Sequence, residues 1–473
     1  MSSARLCPLF FSLVLLASNS VTCTTSSSAT LRLRLFPEEL ADKYGARCLD
    51  HSLAGYYIRE QDPKKWVIFL EGGGLCVTAF DCVARRSNSQ GSSKYWQKDV
   101  PPEGLATASL SPNNPFASFS HIWVPYCSGD MWLGNSSQPR ELLFGMQMSG
   151  HLILEALIDH LLAVTAMGSE AEDVVLSGSS AGGIGTFHHT DWLADRLAAH
   201  AKQQRLKVAA RVSGFPIEGI FFPIGFPVFY EEFILGSRRP ADHFMDHYIR
   251  LMQDPWLLPA CVEASRKEGF AAEDCFDVSR MVRYTRSPLF ILMNRFDALM
   301  IQDMGLCPNC QGTAGPTTLT GKYIRFFGSL MNNTLVNISR ALPSAGFFVP
   351  SEFHHDESFY ALLGSTKKHK VIGGMTLPQA FEAWHFGSGR RVFLMEPTCH
   401  QNGPCNAASE DVAGRPRWPS WPHTNWSRLS RFHINWLPFR KGHGVVAAVH
   451  GDPEEAHEKS AHSAVAALPL HLV

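Results

Sequence analysis

The stretch that decides the fold is Val174-Val-Leu-Ser-Gly-Ser-Ser-Ala-Gly-Gly183. It joins a short apolar run to a glycine-rich turn, and apolar residues at helical spacing follow from Thr186 to Ala201. Its centre matches the Gly-x-Ser-x-Gly pattern of a serine on a sharp strand-to-helix turn, where side chains at the glycine positions would clash. The stretch therefore predicts a nucleophile elbow with Ser180 at its tip. The alternative is an ordinary loop, because a chain with 37 glycines can produce such a match by chance.

Other apolar runs in the chain resemble the one before Ser180. Trp66–Leu70, Ile122–Tyr126 and Leu289–Met293 each lead into a polar or glycine-rich turn, and Leu152–Ala166 has helical spacing. Short strands that are apolar on both faces are typical of a parallel sheet covered by helices. The sequence therefore predicts an α/β fold, with one doubly wound and mostly parallel sheet. The pattern weakens beyond Asn406, where we assign no structure.

The composition excludes several classes of protein. Hydrophobic residues make up 45% of the chain and charged residues 18%, which is sufficient for a large packed core and unlike a disordered chain. Lys and Arg number 42 against 43 Asp and Glu, for a net charge of -1. This balance gives no general attraction to nucleic acid, so we expect no nucleic-acid partner.

The N-terminus indicates the compartment. Residues 1–23 combine Arg5, an apolar run from Leu6 to Ala17 and small residues up to Cys23, which is the layout of a cleaved signal peptide. The alternative is a short membrane anchor. No later segment reaches about 18 uninterrupted apolar residues, so we expect a secreted protein without a membrane span, with the cell wall as one destination.

Cysteine usage agrees with secretion. Twelve cysteines are present, and the ten beyond Cys23 are expected to form disulfides in an oxidising compartment. Cys307 and Cys310 have the spacing of half a zinc site or a redox pair, but no second pair stands at zinc-ribbon spacing, so a disulfide is favoured. Four sequons are candidate glycan sites: Asn135, Asn332, Asn337 and Asn425.

A serine nucleophile needs a base and an acid that orients the base. Asp297 lies just past a predicted strand, where the carboxyl edge of the sheet would place it beside the elbow. Either His354 or His355 could be the base, and the residues alone leave that choice open. The oxyanion of an acyl-transfer reaction also needs donors, and the N–H of Ala181 and the glycines of Gly72–Gly74 are the candidates.

Three motifs together resemble the pectin acetylesterase/Notum family of secreted serine hydrolases: Leu70-Glu-Gly-Gly-Gly-Leu-Cys76, Pro125-Tyr-Cys-Ser-Gly-Asp130 and Gly178-Ser-Ser-Ala-Gly-Gly183. The resemblance implies an α/β-hydrolase-like fold over residues 35–405, with residues 406–473 as a C-terminal extension of unknown structure. It also implies a carboxylic-ester hydrolase without cofactor or metal. The segment Gly346–His355 is similar to the family segment that ends in the catalytic base. The residues implied are Ser180, Asp297 and His355 for catalysis, and Gly73, Gly74 and Ala181 for the oxyanion hole.

The resemblance leaves two substrate classes. The pattern Gly72-Gly-Gly-x-Cys76 is closer to plant-type members and favours acetyl groups on a polysaccharide. Phe215–Phe233 is dense in phenylalanine and could instead line a pocket for the acyl chain of a protein, with Phe215, Phe221 and Phe222 as tentative contacts. Ordinary core packing is the other interpretation of these residues.

Two further alternatives belong to other classes of protein. A secreted binding protein on an inactive hydrolase scaffold is disfavoured, because Ser180, Asp297 and His355 are all present. A metal-dependent deacetylase is disfavoured because no compact group of His and Asp with metal-ligand spacing is visible in the sequence. A family member usually carries Asp where this chain has Val212, which puts local substrate contacts in doubt.

Overall fold

The computed structural model describes residues 30–405 without 77, 102–104, 106–113, 222–250, 253, 305–306, 356–369, 388–390 and 400–402. The predicted signal peptide 1–23 and C-terminal extension 406–473 lie outside the described residues, and the boundaries of the hydrolase domain at 35 and 405 stay predictions. Within the part that is described, no helix is both long and apolar enough to cross a membrane.

The strands are short, as the apolar runs predict. They are β1 Leu31–Leu35, β2 Gly55–Arg59, β3 Asp62–Leu70, β4 Asp99–Val100, β5 Phe119–Val124, β6 Asp173–Ser179, β7 Arg211–Ile217, β8 Phe290–Leu292, β9 Gly346–Val349 and β10 Phe393–Met395. The predicted run Ile122–Tyr126 was placed too far along the chain, because the strand ends at Val124 and Tyr126 already belongs to the turn. The apolar character continues into that turn since Tyr126 and Cys127 are themselves buried.

Two long helices follow the predicted periodic segments. The α-helices are α1 Glu38–Tyr44, α2 Ala79–Arg85, α3 Gly150–Val164, α4 Met167–Glu170, α5 Ala181–Gln204, α6 Pro259–Glu268, α7 Val278–Met281, α8 Leu319–Ala341 and α9 Leu377–His385. Helix α5 begins five residues before the predicted periodic segment, at Ala181, so the glycines that follow Ser180 are already helical.

The described strands form one sheet in the order β10-β9-β8-β7-β6-β3-β5-β2-β1-β4. Neighbours from β10 to β5 pair in parallel, while β2, β1 and β4 extend the sheet with antiparallel pairs. The prediction of a mostly parallel α/β sheet is confirmed. The centre of the sheet is β6, which is flanked by β3 and β7. The carboxyl ends of these parallel strands therefore meet at one edge, beside Ser180.

The two faces of the sheet carry two separate cores. In β3, Trp66, Ile68 and Leu70 point into the larger apolar cluster, whereas Val67 and Phe69 point into the smaller one. This alternation is the period of two of a strand, and both sets are apolar because helices cover both faces. Helices α3, α5 and α8 contribute to the larger cluster, and α9 contributes to the smaller one.

All ten cysteines predicted to be oxidised form disulfides in the structure. The pairs are Cys48–Cys127, Cys76–Cys82, Cys261–Cys275, Cys307–Cys310 and Cys399–Cys405. The disulfide predicted between Cys307 and Cys310 is therefore present in the structure. Disulfides of this number are typical of a protein that folds in an oxidising compartment.

Three buried histidines lie in the helices beside the sheet. His151 Nδ1 lies 3.0 Å from His189 Nε2, and His189 Nδ1 lies 2.8 Å from the carbonyl oxygen of Gly185. Burial lowers the pKa of His151 to about 2, that of His188 to about 3 and that of His189 to about 4. These rings are therefore neutral in the folded chain at pH 5, while an unfolded histidine is mostly protonated there.

The unfolded state thus binds more protons than the folded state below about pH 6.5, so stability falls with acidification. Each such histidine adds about 1.4 kcal/mol per pH unit to the slope of the unfolding free energy. We expect His189→Gln to reduce this slope between pH 6 and pH 4.5 by about 1.4 kcal/mol per pH unit, the contribution of about one proton. The slope is measured by urea unfolding at several pH values. Gln203→Ala, which changes no titratable group on the same helix, is the control and should leave the slope unchanged. An equal slope in all three proteins would contradict the prediction.

Candidate active site

Ser180 occupies the turn between β6 and α5. Its backbone has φ 54° and ψ -116°, a conformation that costs an L-residue about 1–3 kcal/mol. The amide of Ser180 donates to the carbonyl oxygen of Ile217 at 2.8 Å, which ties the turn to the end of β7. The strained backbone and its position between a strand and a helix are those of a nucleophile elbow.

The glycines around Ser180 are required by backbone contacts. A Cβ atom on Gly178 or Gly182 would lie closer than 3.0 Å to a backbone oxygen, that of Gly182 or of Leu70 respectively. A Cβ atom on Gly183 would meet the carbonyl oxygen of Ile217 equally closely. The first turn of α5 therefore packs directly on the ends of β3 and β7, and only glycine permits this approach.

His355 lies between Ser180 and Asp297. Its Nε2 is 2.8 Å from Ser180 Oγ, and its Nδ1 is 2.7 Å from Asp297 Oδ2. The Asp297 side chain is fully buried, while 12% of the His355 side chain is exposed. A ring protonated on Nδ1 donates to Asp297 and accepts the hydroxyl hydrogen of Ser180. The structure thus brings together the three residues that the resemblance implies for catalysis.

Backbone hydrogen bonds hold the loop of Asp297 against the loop of His355. The amide of Arg295 donates to the Pro350 carbonyl at 2.8 Å, and the amide of Ala298 donates to the His354 carbonyl at 3.3 Å. The other oxygen of Asp297, Oδ1, accepts from the amide of Met300 at 2.9 Å. The residues alone leave the choice between His354 and His355 open; among the described contacts, the ring that reaches Ser180 is that of His355.

The glycine loop after β3 lies against the elbow. A Cβ atom on Gly72 would be 3.2 Å from Ser180 Cβ. Gly73 and Gly74 have φ values of 151° and 67°, which favour glycine. The guanidinium of Arg85 donates to the carbonyl oxygens of Gly73 and Leu75, at 2.7 and 3.2 Å. Arg85 therefore fixes the direction of the peptide groups in this loop.

The motif Pro125–Asp130 and the residues after it form hydrogen bonds that stabilise the glycine loop. The amide of Tyr126 donates to Glu71 Oε2 at 2.8 Å, and Trp132 Nε1 donates to the Glu71 carbonyl at 3.1 Å. Asp130 accepts from the amides of Trp132 and Gly150 at 3.0 and 2.7 Å. Burial raises the pKa of Asp130. The residues of this motif therefore hold the active-site loop in place and do not contact Ser180 in the described geometry.

The structure adds one residue that the sequence analysis did not place in the site. Glu218 Oε2 lies 3.1 Å from His355 Nδ1, and the Glu218 side chain is only 1% exposed. Glu218 directly follows β7, the neighbour of β6, so a search for acids at the carboxyl ends of strands would name it as a candidate, although its contact with His355 depends on the left-handed backbone of Glu218.

The same three side chains have the spacing of metal ligands. One ligand atom each from Glu218, Asp297 and His355 lies within 4.8 Å of the others. The sequence did not reveal this group, because its three residues are far apart along the chain. A cation there would need the Nδ1 lone pair of His355, and it would replace the proton that faces Asp297. Metal binding and the Ser180–His355–Asp297 arrangement are consequently alternatives at this site.

The three phenylalanines predicted to line a substrate pocket have different positions. Phe215 is a core residue, because its ring packs with Phe116, Phe290 and Phe381 in the smaller apolar cluster. Of the two interpretations given for Phe215, ordinary core packing is therefore the one that the structure supports. Phe221 lies beside the site, with its ring centroid 6.3 Å from that of His355. Phe222 lies outside the described residues.

Val212, which stands where family members usually carry Asp, is too far from Ser180 to affect substrate contacts. It pairs with Val174 in the interior of the sheet, whereas Ser179 pairs with Ile217 at the carboxyl end. Ser180 lies six positions beyond Val174 along the chain, which corresponds to about 20 Å of extended strand. Val212 therefore lies in the core and away from the site.

The family model described as pectinacetylesterase matches residues 26–409 of this sequence. The chain belongs to the pectinacetylesterase family. Members of this family are carboxylic-ester hydrolases, and the predicted enzyme class is thereby confirmed.

The chain is similar both to pectin acetylesterases and to palmitoleoyl-protein carboxylesterases. Pectin acetylesterase 4 of Arabidopsis thaliana is 27% identical over 355 residues, 74% of this chain and 78% of that protein. The palmitoleoyl-protein carboxylesterase notum1 of Xenopus laevis is 34% identical over 341 residues, 71% of this chain and 64% of that protein. The crystal structure of the Wnt deacylase Notum from Drosophila matches with a TM-score of 0.61 at 24% identity, and covers 79% of this chain and 99% of that one. The last likeness confirms the α/β-hydrolase-like fold.

The contacts of Gly182 generate a prediction. We expect Gly182→Ala to destabilise this pectinacetylesterase family member by about 3 kcal/mol or more, because its Cβ would overlap the carbonyl oxygen of Leu70. Gly315→Ala is the matched control, since the nearest atom to its Cβ is a side-chain carbon at 3.6 Å. Thermal unfolding compares the two, and similar melting temperatures for both variants would show that the contact at Gly182 is not a constraint.

Proposed function

We propose that Ser180 is the nucleophile, His355 the general base and Asp297 the orienting acid of a two-step ester hydrolysis. The observation that carries this proposal is the continuous chain of contacts from Ser180 Oγ through both ring nitrogens of His355 to Asp297 Oδ2, at 2.8 and 2.7 Å. A serine hydroxyl needs a base at this distance to attack an ester, and the base needs a fixed tautomer.

In the first step, Ser180 Oγ forms a bond to the ester carbonyl carbon while His355 Nε2 takes the hydroxyl proton. The carbonyl π electrons move onto oxygen and give a tetrahedral oxyanion. When that oxyanion collapses, the bond to the alcohol breaks and His355 returns its proton to the leaving oxygen. In the second step, water repeats the same sequence on the acyl-enzyme and releases the acid and free Ser180.

The oxyanion is stabilised by the N–H groups of Ala181, Gly73 and Gly74. Ala181 is the first residue of α5, so its amide is not used within the helix. In a trans peptide the N–H of Gly74 points opposite to the carbonyl of Gly73, which accepts from Arg85. Arg85 therefore acts as a positioning residue, since its bond to the Gly73 carbonyl fixes the Gly74 N–H in the opposite direction.

For the substrate, we propose acetyl groups on a polysaccharide. The description of the family model and the name of the Arabidopsis relative support this assignment. The glycine loop agrees with the plant-type pattern seen in the sequence. The removal of a long acyl chain from a protein is the second candidate, because the Xenopus notum1 is 34% identical over 341 residues. Phe221, whose ring centroid lies 6.3 Å from that of His355, is a candidate contact for either acyl group.

We also propose that the protein acts outside the cell. The ten paired cysteines and the signal-like residues 1–23 support this location.

The role of Ser180 is tested by replacement. We expect Ser180→Ala to lower kcat/KM for nitrophenyl acetate by about 10⁴-fold or more, because no other group replaces the nucleophile. The neighbouring Ser179→Ala is the matched control and should keep most of the activity. Full activity of folded Ser180→Ala would exclude this residue as the nucleophile.

The role of Arg85 gives a separate expectation. Arg85→Met should lower kcat for nitrophenyl acetate by about tenfold or more with little change in KM, because a misaligned Gly74 N–H affects the oxyanion and not the bound ester. Arg86→Met, on the exposed next residue, should behave as the wild type. An equal loss in both variants would refute a specific role for Arg85.

The length of the acyl chain separates the two substrates. If the enzyme removes acetyl groups, kcat/KM should fall by at least about tenfold from nitrophenyl acetate to nitrophenyl octanoate, and acetylated pectin should release acetate. A preference for octanoate would favour the deacylation of proteins and exclude the acetylesterase assignment.

A further inference from the structure

A second carboxylate reaches the histidine that lies beside Ser180. Glu218 Oε2 is 3.1 Å from His355 Nδ1, the same nitrogen that faces Asp297 Oδ2 at 2.7 Å. We propose that Glu218 is a second positioning carboxylate, which shares the Nδ1 proton of His355 with Asp297. This inference rests on the proposed role of His355 as the base.

The backbone of Glu218 is held in an unusual conformation. Its φ is 49°, a left-handed value that a glutamate rarely adopts. The amide of Glu218 donates to the Leu292 carbonyl at 2.8 Å, which binds it to the end of β8. Gly219, the next residue, packs on the backbone of Gly183 in the first turn of α5. The chain therefore passes between two strand ends and the elbow, and this path directs the Glu218 side chain to His355.

The other oxygen of Glu218 has its own partner. Asn294 Nδ2 donates to Glu218 Oε1, and it also lies 3.3 Å from the His354 carbonyl. Asn294 follows β8, so it connects the end of that strand to the loop of His355. With Oε1 occupied in this way, Oε2 is the oxygen presented to the imidazole.

The burial of this carboxylate argues against a merely structural role. Glu218 is 1% exposed, and a buried carboxylate costs several kcal/mol unless charge or hydrogen bonds compensate for it. A neutral glutamine would satisfy a purely structural position at lower cost. The group that gains most from the charge is an imidazolium at His355, which exists only while the proton of Ser180 is held there.

Among the described residues, charged and titratable groups near the His355 ring lie on three elements. Glu218 faces it from the end of β7, Asp297 from the loop after β8, and His354 precedes it in its own loop. The Ser180 hydroxyl faces the opposite nitrogen. Two carboxylates at one nitrogen make each partly dispensable, because either can accept the Nδ1 proton and keep the tautomer that leaves Nε2 free.

Kinetics with nitrophenyl acetate test this redundancy. When a triad contains one acid, its replacement by asparagine lowers kcat by about 10⁴-fold. We expect Asp297→Asn to lose only about 10²-fold, Glu218→Gln about tenfold, and the double variant about 10⁴-fold. KM should change little in each, since the carboxylates do not contact the ester. A 10⁴-fold loss in Asp297→Asn alone, unchanged by adding Glu218→Gln, would overturn the proposal.

The pH profile separates an electrostatic role from a structural one. Because a negative charge favours the imidazolium, Glu218→Gln should move the acidic limb of kcat/KM to lower pH by about one unit. Glu218→Asp, which keeps the charge, should restore most of the shift. Asp173→Asn is the matched control: Asp173 lies 2.8 Å from the buried His385 at the other end of β6, so it should affect stability without moving the limb. An unmoved limb in Glu218→Gln contradicts the proposal.

Proton NMR gives a result that does not depend on hydrolysis. The Nδ1 proton of His355 should give a strongly downfield signal that is lost in His355→Gln, shifts in Glu218→Gln, and persists in Asp297→Asn. Its disappearance in Asp297→Asn would show that Glu218 does not hold it. A wild-type protein with this signal but without esterase activity would refute the proposed function while leaving the shared proton intact.

Loss of activity on addition of EDTA would instead indicate a cation between Glu218, Asp297 and His355, and would overturn the shared proton.

Discussion

The contact of backbone with backbone where α5 meets the sheet is the constraint on which the rest of the site depends. Gly178, Gly182 and Gly183 let the first turn of the helix rest on the carbonyl oxygens of Leu70 and Ile217. The turn before it then has no room for a relaxed conformation, and Ser180 takes a φ of 54°. The strain of about 1–3 kcal/mol is offset by the packing of the helix, which buries its apolar residues in the larger cluster on one face of the sheet.

The same contact assembles the remaining groups. The ends of β3, β6, β7 and β8 meet at one edge of the sheet. The glycine loop, the serine and the two carboxylates each follow one of these strands, so they lie close together there. His355 comes from the loop after β9 and is fixed by hydrogen bonds between its loop and that of Asp297. Each group in the site thus depends on a strand end, and a change in one strand's register would move its side chain by about 3.3 Å per residue.

The sequence predicted the parts that follow from local pattern and from the edge of the sheet. The glycines predicted the elbow at Ser180, and the position after a predicted strand made Asp297 a candidate acid. The choice between His354 and His355 needed either the family segment or the structure, because adjacent residues in a loop carry no periodicity that distinguishes them. Phe215 and Phe221 show a related limit: both are apolar, but only the register of β7 decides that the first packs in the core.

Glu218 was missed for a different reason. It follows a strand just as Asp297 does, but its side chain reaches His355 only because the backbone takes a left-handed turn after Ile217. Non-glycine residues adopt such a turn rarely, so no propensity predicts it. Sites of this kind, where a local rule is broken inside a well-packed frame, are where sequence reasoning is expected to fail and where function is concentrated.

The most direct test is covalent labelling with a fluorophosphonate, followed by mass mapping of the labelled peptide. If Ser180 is the activated nucleophile, the probe should add once per chain, on Ser180 and not on Ser179, and labelling should be lost in His355→Ala. A folded protein that is not labelled, or that is labelled at another serine, would contradict the catalytic arrangement described above.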